Sequence, residues 1–360
     1  MKLTKLNIFF LLICIISILT SCSKQEQFNE QTKNIQLSIS GSSTDTLEYL
    51  IGGKVIATSN PISGFNIKTL VSTGENQQEL QIRKKGSAEI LQTKSIKSAP
   101  FEQSITCYYD GTKLYDKIIN LKTKGYSGTA TLEFILNGRV IASGTGKQFP
   151  ENLSVNINDG ETQEIQIRKQ GETNILATKV ITSTPAEQLL TFYYDGQTIL
   201  DKLDLTAPVN PLNMSISAKF ETSLGSIYTG PVDIVFFIRD LNQPDNASSN
   251  IVTSFHLSLP GDGSFSNSIE LPALPANTEG TNYVYSFRIF KSGTTDVVPY
   301  TTTGDLAPLK FTNTLAPDFK AGSSQIWILN DVKTVKTSGP PAQRGTAYTV
   351  TVTDIAQFFQ

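Results

Sequence analysis

Catalysis and metal binding draw on a short list of side chains, and this chain is poor in them. His256 is the single histidine among 360 residues. It lies between Phe255 and Leu257 and shares a face with Ser254 and Ser258, so it is expected to be solvent-facing and inert. A Ser-His-Asp triad needs a nucleophile on a strained strand-to-helix elbow, and no Gly-x-Ser-x-Gly sequence is present to build one. Cys14, Cys22 and Cys107 include no pair at zinc-ligand spacing. Asp240, Asp245 and Asp262 are loop carboxylates that could ligate Ca2+, yet none falls in an EF-hand pattern. Paired carboxylates of the kind that cleave glycosidic bonds meet only in space, so that one chemistry stays open. The expectation is a non-enzyme with no cofactor and no metal.

Binding needs exposed groups instead. The sequence Tyr-Tyr-Asp-Gly occurs twice, at residues 108–111 and 193–196. If Tyr109 and Tyr194 point inward with Cys107 and Phe192, then Tyr108 and Tyr193 point outward. There they could stack on sugar rings or anchor a protein partner; the competing reading is that they cover a hydrophobic patch between modules. Trp327, the one tryptophan, lies on the opposite face from Ile326 and Ile328 and is either a carbohydrate platform or a core residue. Arg83-Lys84-Lys85 and Arg168-Lys169 could bind an anionic glycan or phosphate, or could simply be strands running into solvated turns at Gly86 and Gly171. Cys107 is replaced by Phe192 in the corresponding place, which points to buried filler rather than a reactive thiol.

Those correspondences come from an internal duplication. Residues 47–57 (LEYLIGGKVIA) return as 132–142 (LEFILNGRVIA), 79–84 (ELQIRK) as 164–169 (EIQIRK), and 106–111 (TCYYDG) as 191–196 (TFYYDG). Each match sits at an offset of 85, and roughly two-fifths of positions 47–118 are identical, which marks a true repeat. Residues 33–122 and 123–206 are therefore read as two copies of one module. Matching is poorest near 58–77, where loops would be expected to drift.

The module reads as β throughout. Leu47, Tyr49 and Ile51, then Leu80 and Ile82, then Ile105, Cys107 and Tyr109 recur at period two. Asn137-Gly138, Asp110-Gly111 and Asp195-Gly196 supply the tight hairpin turns between such runs. Short strands with frequent turns and no helical stripe predict a small antiparallel sandwich, Ig-like in architecture only, since Cys…Trp…Cys spacing is absent. Two prolines mark 207–211 as a linker. Residues 212–360 carry no copy of the repeat and offer strands at 213–220, 232–238, 252–259, 264–271, 283–290, 325–329 and 347–355, a third and larger β-sandwich. Gly230-Pro231-Val232, Gly263-Ser264-Phe265 and Leu271-Pro272-Ala273-Leu274 resemble the carboxypeptidase-regulatory or transthyretin-like domains, which implies a non-enzymatic sandwich. The fold class expected is thus all-β.

The chain opens with Lys2 and Lys5, followed by an apolar run over 8–19. About twelve residues is short of the roughly 20 that span a bilayer core, so the run reads as a cleavable signal over residues 1–21. It ends in Leu19-Thr20-Ser21-Cys22, which resembles the lipobox of bacterial lipoproteins. That resemblance implies a diacylglyceryl group on the Cys22 sulfur and cleavage before it, with further acylation of the new amino terminus; two or more chains make such attachment stable. Residues 22–32 then form a polar tether that resembles the charged leader of surface lipoproteins of the Bacteroidota. Ser23 stands where an Asp would imply inner-membrane retention.

Losing Lys2 and Lys5 with the signal takes the formal net charge from −2 to −4, which leaves no electrostatic footprint for nucleic acid. The organisation resembles the glycan-binding surface lipoproteins of Bacteroidota nutrient-uptake systems. The expectation is a lipid-anchored outer-membrane protein, at the cell surface or otherwise facing the periplasm, that binds an extracellular ligand such as a glycan. Its alternatives are an adhesive or structural envelope protein with protein partners, and a hydrolase housed in residues 212–360.

Overall fold

The computed structural model describes residues 33–74, 77–221, 230–244, 250–295, 299–300, 309–310, 314–336 and 345–360. The signal, Cys22, the tether and Asp245 lie outside them. Among the described residues the fold is all-β, with one 3-10 turn at Ala356–Phe358.

The first copy comprises Lys33–Ser43 (β1), Leu47–Ile51 (β2), Lys54–Ser59 (β3), Ile62–Thr73 (β4), Gln78–Lys84 (β5), Ile90–Ile96 (β6), Glu102–Tyr109 (β7) and Leu114–Tyr115 (β8). They form two four-stranded sheets, ordered β4-β1-β7-β8 and β3-β2-β5-β6. Ile35, Leu37, Ile39 and Cys107 from one sheet meet Leu47, Tyr49, Leu80 and Ile82 from the other in a single buried core. Burying an aliphatic or aromatic side chain of this kind contributes about 1.5–3 kcal/mol, which is how a disulfide-free module holds together.

The second copy repeats the plan with Lys117–Tyr126 (β9), Thr131–Leu136 (β10), Arg139–Thr145 (β11), Asn152–Ile157 (β12), Thr162–Lys169 (β13), Ile175–Thr182 (β14), Glu187–Tyr194 (β15) and Ile199–Leu200 (β16). Its sheets run β12-β9-β15-β16 and β11-β10-β13-β14. β9 runs unbroken through residues 122 and 123. The poorly matching stretch near 58–77 is also not mainly loop. It holds β4, an edge strand whose side chains are mostly exposed or half-exposed, so few of them are constrained by packing. Nor is the module purely antiparallel: β1 runs antiparallel to β4 but parallel to β7, from Gln36 beside Glu102 to Ser43 beside Tyr109. A chain that crosses between two sheets can return in the same direction, which hairpins alone cannot do.

The same side-chain devices recur at both places. Gln103 Nε2 donates to the Lys97 and Pro100 carbonyls at 2.6 and 3.0 Å, and Gln188 Nε2 to those of Thr182 and Pro185 at 2.6 and 2.9 Å. Each glutamine thereby brackets a cis proline turn, Ala99-Pro100 or Thr184-Pro185. Tyr109 and Tyr194 donate their hydroxyls to the carbonyls of Gly111 and Gly196 at 2.9 and 2.6 Å. Asp110 Oδ1 accepts the N–H groups of Thr112 and Lys113, as Asp195 Oδ1 accepts those of Gln197 and Thr198. The Tyr-Asp-Gly part of the motif is thus a turn device, closed by its own hydrogen bonds.

The third sandwich comprises Met214–Glu221 (β17), Val232–Asp240 (β18), Asn250–Leu259 (β19), Ile269–Leu271 (β20), Tyr283–Lys291 (β21), Pro299–Tyr300 (β22), Leu309–Lys310 (β23), Thr314–Leu315 (β24), Ser324–Lys336 (β25) and Gly345–Asp354 (β26). Sheets β20-β17-β25-β26 and β19-β18-β21-β24 enclose a core around Trp327, Phe236 and Phe287, and β22 pairs with β23. Most of the expected strands are present; the one expected over 264–271 shrinks to β20.

By packing, the chain divides into two units. The first takes residues 33–120 with Ser154–Gln163 and Ile181–Gln188; the second takes Leu121–Leu153, Glu164–Val180 and 189–360. Within the first unit, the turn after β7 is tied to the loop after β12. Lys113 Nζ lies 3.0 Å from Glu161, Lys117 pairs with Asp159, and Asp116 Oδ1 accepts the Asp159 N–H at 2.9 Å. Within the second unit the joint is apolar: Tyr126 and Tyr193 share a buried cluster with Ile326, Ile328 and Ile355. The linker is not loose, since Glu270 accepts the Val209 N–H at 2.5 Å and the Asn213 amide at 2.8 Å. These hydrogen bonds, the Val209 N–H foremost, hold the Glu270 carboxyl below its ordinary value.

Candidate functional site

The second unit contains a cleft of about 730 Å3. Loop 127–130 before β10, the 194–196 turn after β15, the end of β17 at 219–221, the 262–263 turn and Asn330 of β25 surround it. Each contributor is fixed from below. Ser127 accepts the Gly146 N–H at 3.0 Å and donates to the Ala130 carbonyl at 2.7 Å, which shapes the first loop. Asp262 Oδ1 accepts both the N–H and the hydroxyl of Ser264, at 2.9 and 2.7 Å. Gly128, Gly196 and Gly263 bring three side-chain-free backbones to the lining.

Lys219 is the central residue. β17 turns Met214, Ile216 and Ala218 into the sandwich core, so Lys219 belongs to its other face, where a solvated lysine would be expected. Instead it is only 5% exposed. Its ammonium lies 2.7 Å from Glu221 Oε1, and 5.3 and 5.6 Å from the ring centres of Tyr193 and Phe265. An ammonium desolvated between aromatic faces gains on the order of 2 kcal/mol per good contact, which with the ion pair offsets its loss of water. Tyr193 in turn stacks on Tyr126, rings 6.4 Å apart and 9° from parallel. Burial, with the Glu221 carboxylate next in effect, pushes both phenols far above their ordinary value, so they stay protonated. The Tyr193 hydroxyl is buried without a hydrogen-bond partner among the described residues.

The carboxylates of the cleft are held ready. Burial opposes the Asp195 charge, but the N–H groups of Thr198 and Gln197 outweigh it and keep the acid below its usual value. The Ser264 hydroxyl and N–H do the same for Asp262. Both are acceptors at neutral pH.

The structure sorts the residues singled out from sequence. Tyr193, at 1% exposure, is no outward platform; it covers an apolar patch against Phe265 and Tyr126, because β17 and its neighbours lie over its sheet. Trp327 is fully buried and donates its indole N–H to Gln325 Oε1 at 2.6 Å, so it too is no platform but a core residue. Tyr108 remains half-exposed, beside Tyr115. In the basic strips Arg83 pairs with Glu48, Lys84 with Asp45, Arg168 with Glu133 and Lys169 with Glu172, at 2.8 to 2.9 Å. His256 is exposed, as its strand position implies. Cys107 is buried, and burial first of all pushes its thiol up to about 11, so it is packing filler. Asp240 Oδ1 is taken by the N–H groups of Asn242 and Asn282 at 3.0 and 2.9 Å. Among the described residues no cluster of three or more metal-ligating side chains occurs.

Lys219, Glu221 and Asn330 were missed by the sequence reading. β17 alternates as a one-sided strand, and nothing in its pattern announces that its second face is covered too.

No protein-family model matches the chain, and no curated protein matches it in sequence. Solved structures that it resembles include CBMbc of family CBM26 from Eubacterium rectale Amy13K, in complex with maltoheptaose. That match has 11% identity over 47% of this chain and 98% of the other, with a TM-score of 0.17. Family 41 carbohydrate-binding modules from streptococcal virulence factors, which recognise alpha-glucan, match at 11% identity over 59% of this chain and 93% of theirs, TM-score 0.17. A Bacteroides ovatus protein provisionally assigned as an adhesin matches at 10% identity over 88% and 93%, TM-score 0.17.

Proposed function

We propose that the chain is a non-catalytic lipoprotein of the bacterial cell envelope, anchored through Cys22 and binding an extracellular glycan at the cleft of its second unit. The cleft carries the binding part of the reading. It is preformed, its volume falls in the range of small-molecule sites, and its ionised carboxylates and the Asn330 amide offer fixed partners to sugar hydroxyls. The anchoring part rests on Leu19-Thr20-Ser21-Cys22 at the end of the apolar run. Residues 22–32 would tether the chain to an outer membrane, and the surface-facing orientation would follow from the polar leader after Ser23. Cells fed labelled palmitate should yield a labelled product that disappears in Cys22→Ser. An unlabelled wild type would end the anchoring claim without touching the cleft.

A second reading, an adhesive protein with protein partners, is favoured by one observation. Of the three aromatics considered as platforms, only Tyr108 reaches solvent, and it lies outside the cleft. If Tyr108→Ala abolishes adhesion to cells or matrix protein while oligosaccharide binding is absent, this reading replaces the first.

A further inference from the structure

We infer that the cleft of the second unit selects uncharged or amine-bearing oligosaccharides and rejects acidic ones; this rests on the glycan-binding reading and gives it a ligand class. The lining holds three carboxylates, Asp195, Glu221 and Asp262, against two ammonium groups, Lys169 and Lys219. Both ammonium groups are already ion-paired, Lys219 in the interior and Lys169 at the exposed rim. Lys219 is 2.7 Å from Glu221 and wedged between two rings, and Lys169 is 2.9 Å from Glu172. A uronate or sulfate entering here meets an excess of negative charge and only cations that already have carboxylate partners, so like-charge repulsion disfavours it.

The acceptors, by contrast, have capacity left. Asp262 spends Oδ1 on Ser264, and Oδ2 takes no donor among the described residues. Asp195 Oδ2 takes only the Thr198 hydroxyl, at 3.0 Å. Ionised carboxylates accept and never donate, so their natural partners are hydroxyl and ammonium hydrogens. Their supporting turns are already closed, so binding requires no reorganisation of the acceptors. Gly128 and Gly263 line the cleft without side chains, which leaves room for close approach by a sugar ring.

The test uses the full-length protein in detergent on an array of neutral glucan and mannan oligomers, chitosan oligomers, oligogalacturonates and chondroitin sulfate oligomers. The expected result is retention of the first three classes and not of the two acidic ones. Thr129→Trp plugs the rim from an exposed position and should weaken that binding at least about tenfold. Asp262→Asn keeps the acceptor for Ser264 while removing the charge. It should weaken the chitosan oligomers most and reduce the exclusion of acidic ones. Equal or tighter binding of acidic oligomers overturns the ligand class but leaves glycan binding standing. Binding indifferent to Thr129→Trp overturns the cleft as the place. Silence across every probe overturns the glycan reading itself, and this inference with it.

Discussion

At Gly41, β1 approaches the carbonyl of Cys107 in β7 so closely that a Cβ built there would lie 1.8 Å from the oxygen, at a φ of 152°. Gly125 holds the matching place in the second copy, its would-be Cβ 2.5 Å from the Phe192 carbonyl oxygen and touching the Phe192 ring. Backbone cannot step aside as a side chain can, so Gly41→Ala and Gly125→Ala should each cost at least about 3 kcal/mol. Urea unfolding reads this directly, and an unchanged midpoint would refute the pairing of β1 with β7. Asp110 shows the residue scale through pH. Burial works against its charge, yet the Lys113 N–H, the Thr112 hydroxyl and N–H, and the Tyr115 phenol hold it below its ordinary 3.8. A depressed folded value means its contribution is complete above the unfolded value and is lost as pH falls through the folded one. Asp110→Asn should therefore destabilise by no more than about 1 kcal/mol at pH 7, given its partial exposure, and by progressively less toward pH 2. A pH-independent difference would contradict the hydrogen bonding described.

At the scale of elements, duplication lets one measurement check another. Gln103 and Gln188 each make the same three hydrogen bonds across a proline turn, with donor distances agreeing to 0.1 Å. Replacing either by alanine should cost about 1 kcal/mol, since the bonds are solvent-accessible and water partly replaces them. Thermal unfolding of the two variants should show similar losses; a loss in one copy alone would mean that the turns differ in their support. Strands such as β2, β5 and β7 were legible because one face is buried and the alternation shows it. β4 was not, because an edge strand with mostly exposed side chains leaves little pattern to read.

In the molecule as a whole, the second unit depends on a lysine that sequence would leave in water. Lys219→Ala removes the ammonium from Glu221, Tyr193 and Phe265 together and strands a carboxylate that is largely shielded from solvent. Breaking such a pair costs about 3–5 kcal/mol, the lower figure applying here because Glu221 keeps some water. The variant should melt earlier, and trypsin should cut it faster near Lys202, beside the linker. Unchanged proteolysis would show that the ring cluster holds without the charge.

Sequence alone determined the all-β class, the duplication, the hairpin turns and the inert character of Cys107, because each depends on local alternation, turn chemistry or a repeat that chance does not produce. Only the tertiary structure decided which outward faces are outward. Alternation places Tyr193 and Lys219 away from their own sheets' cores, but whether another layer covers that face is a contact between segments far apart in the chain. The same holds for the cleft, whose carboxylates, amide and glycines are brought together from five separated stretches by packing that no single stretch encodes.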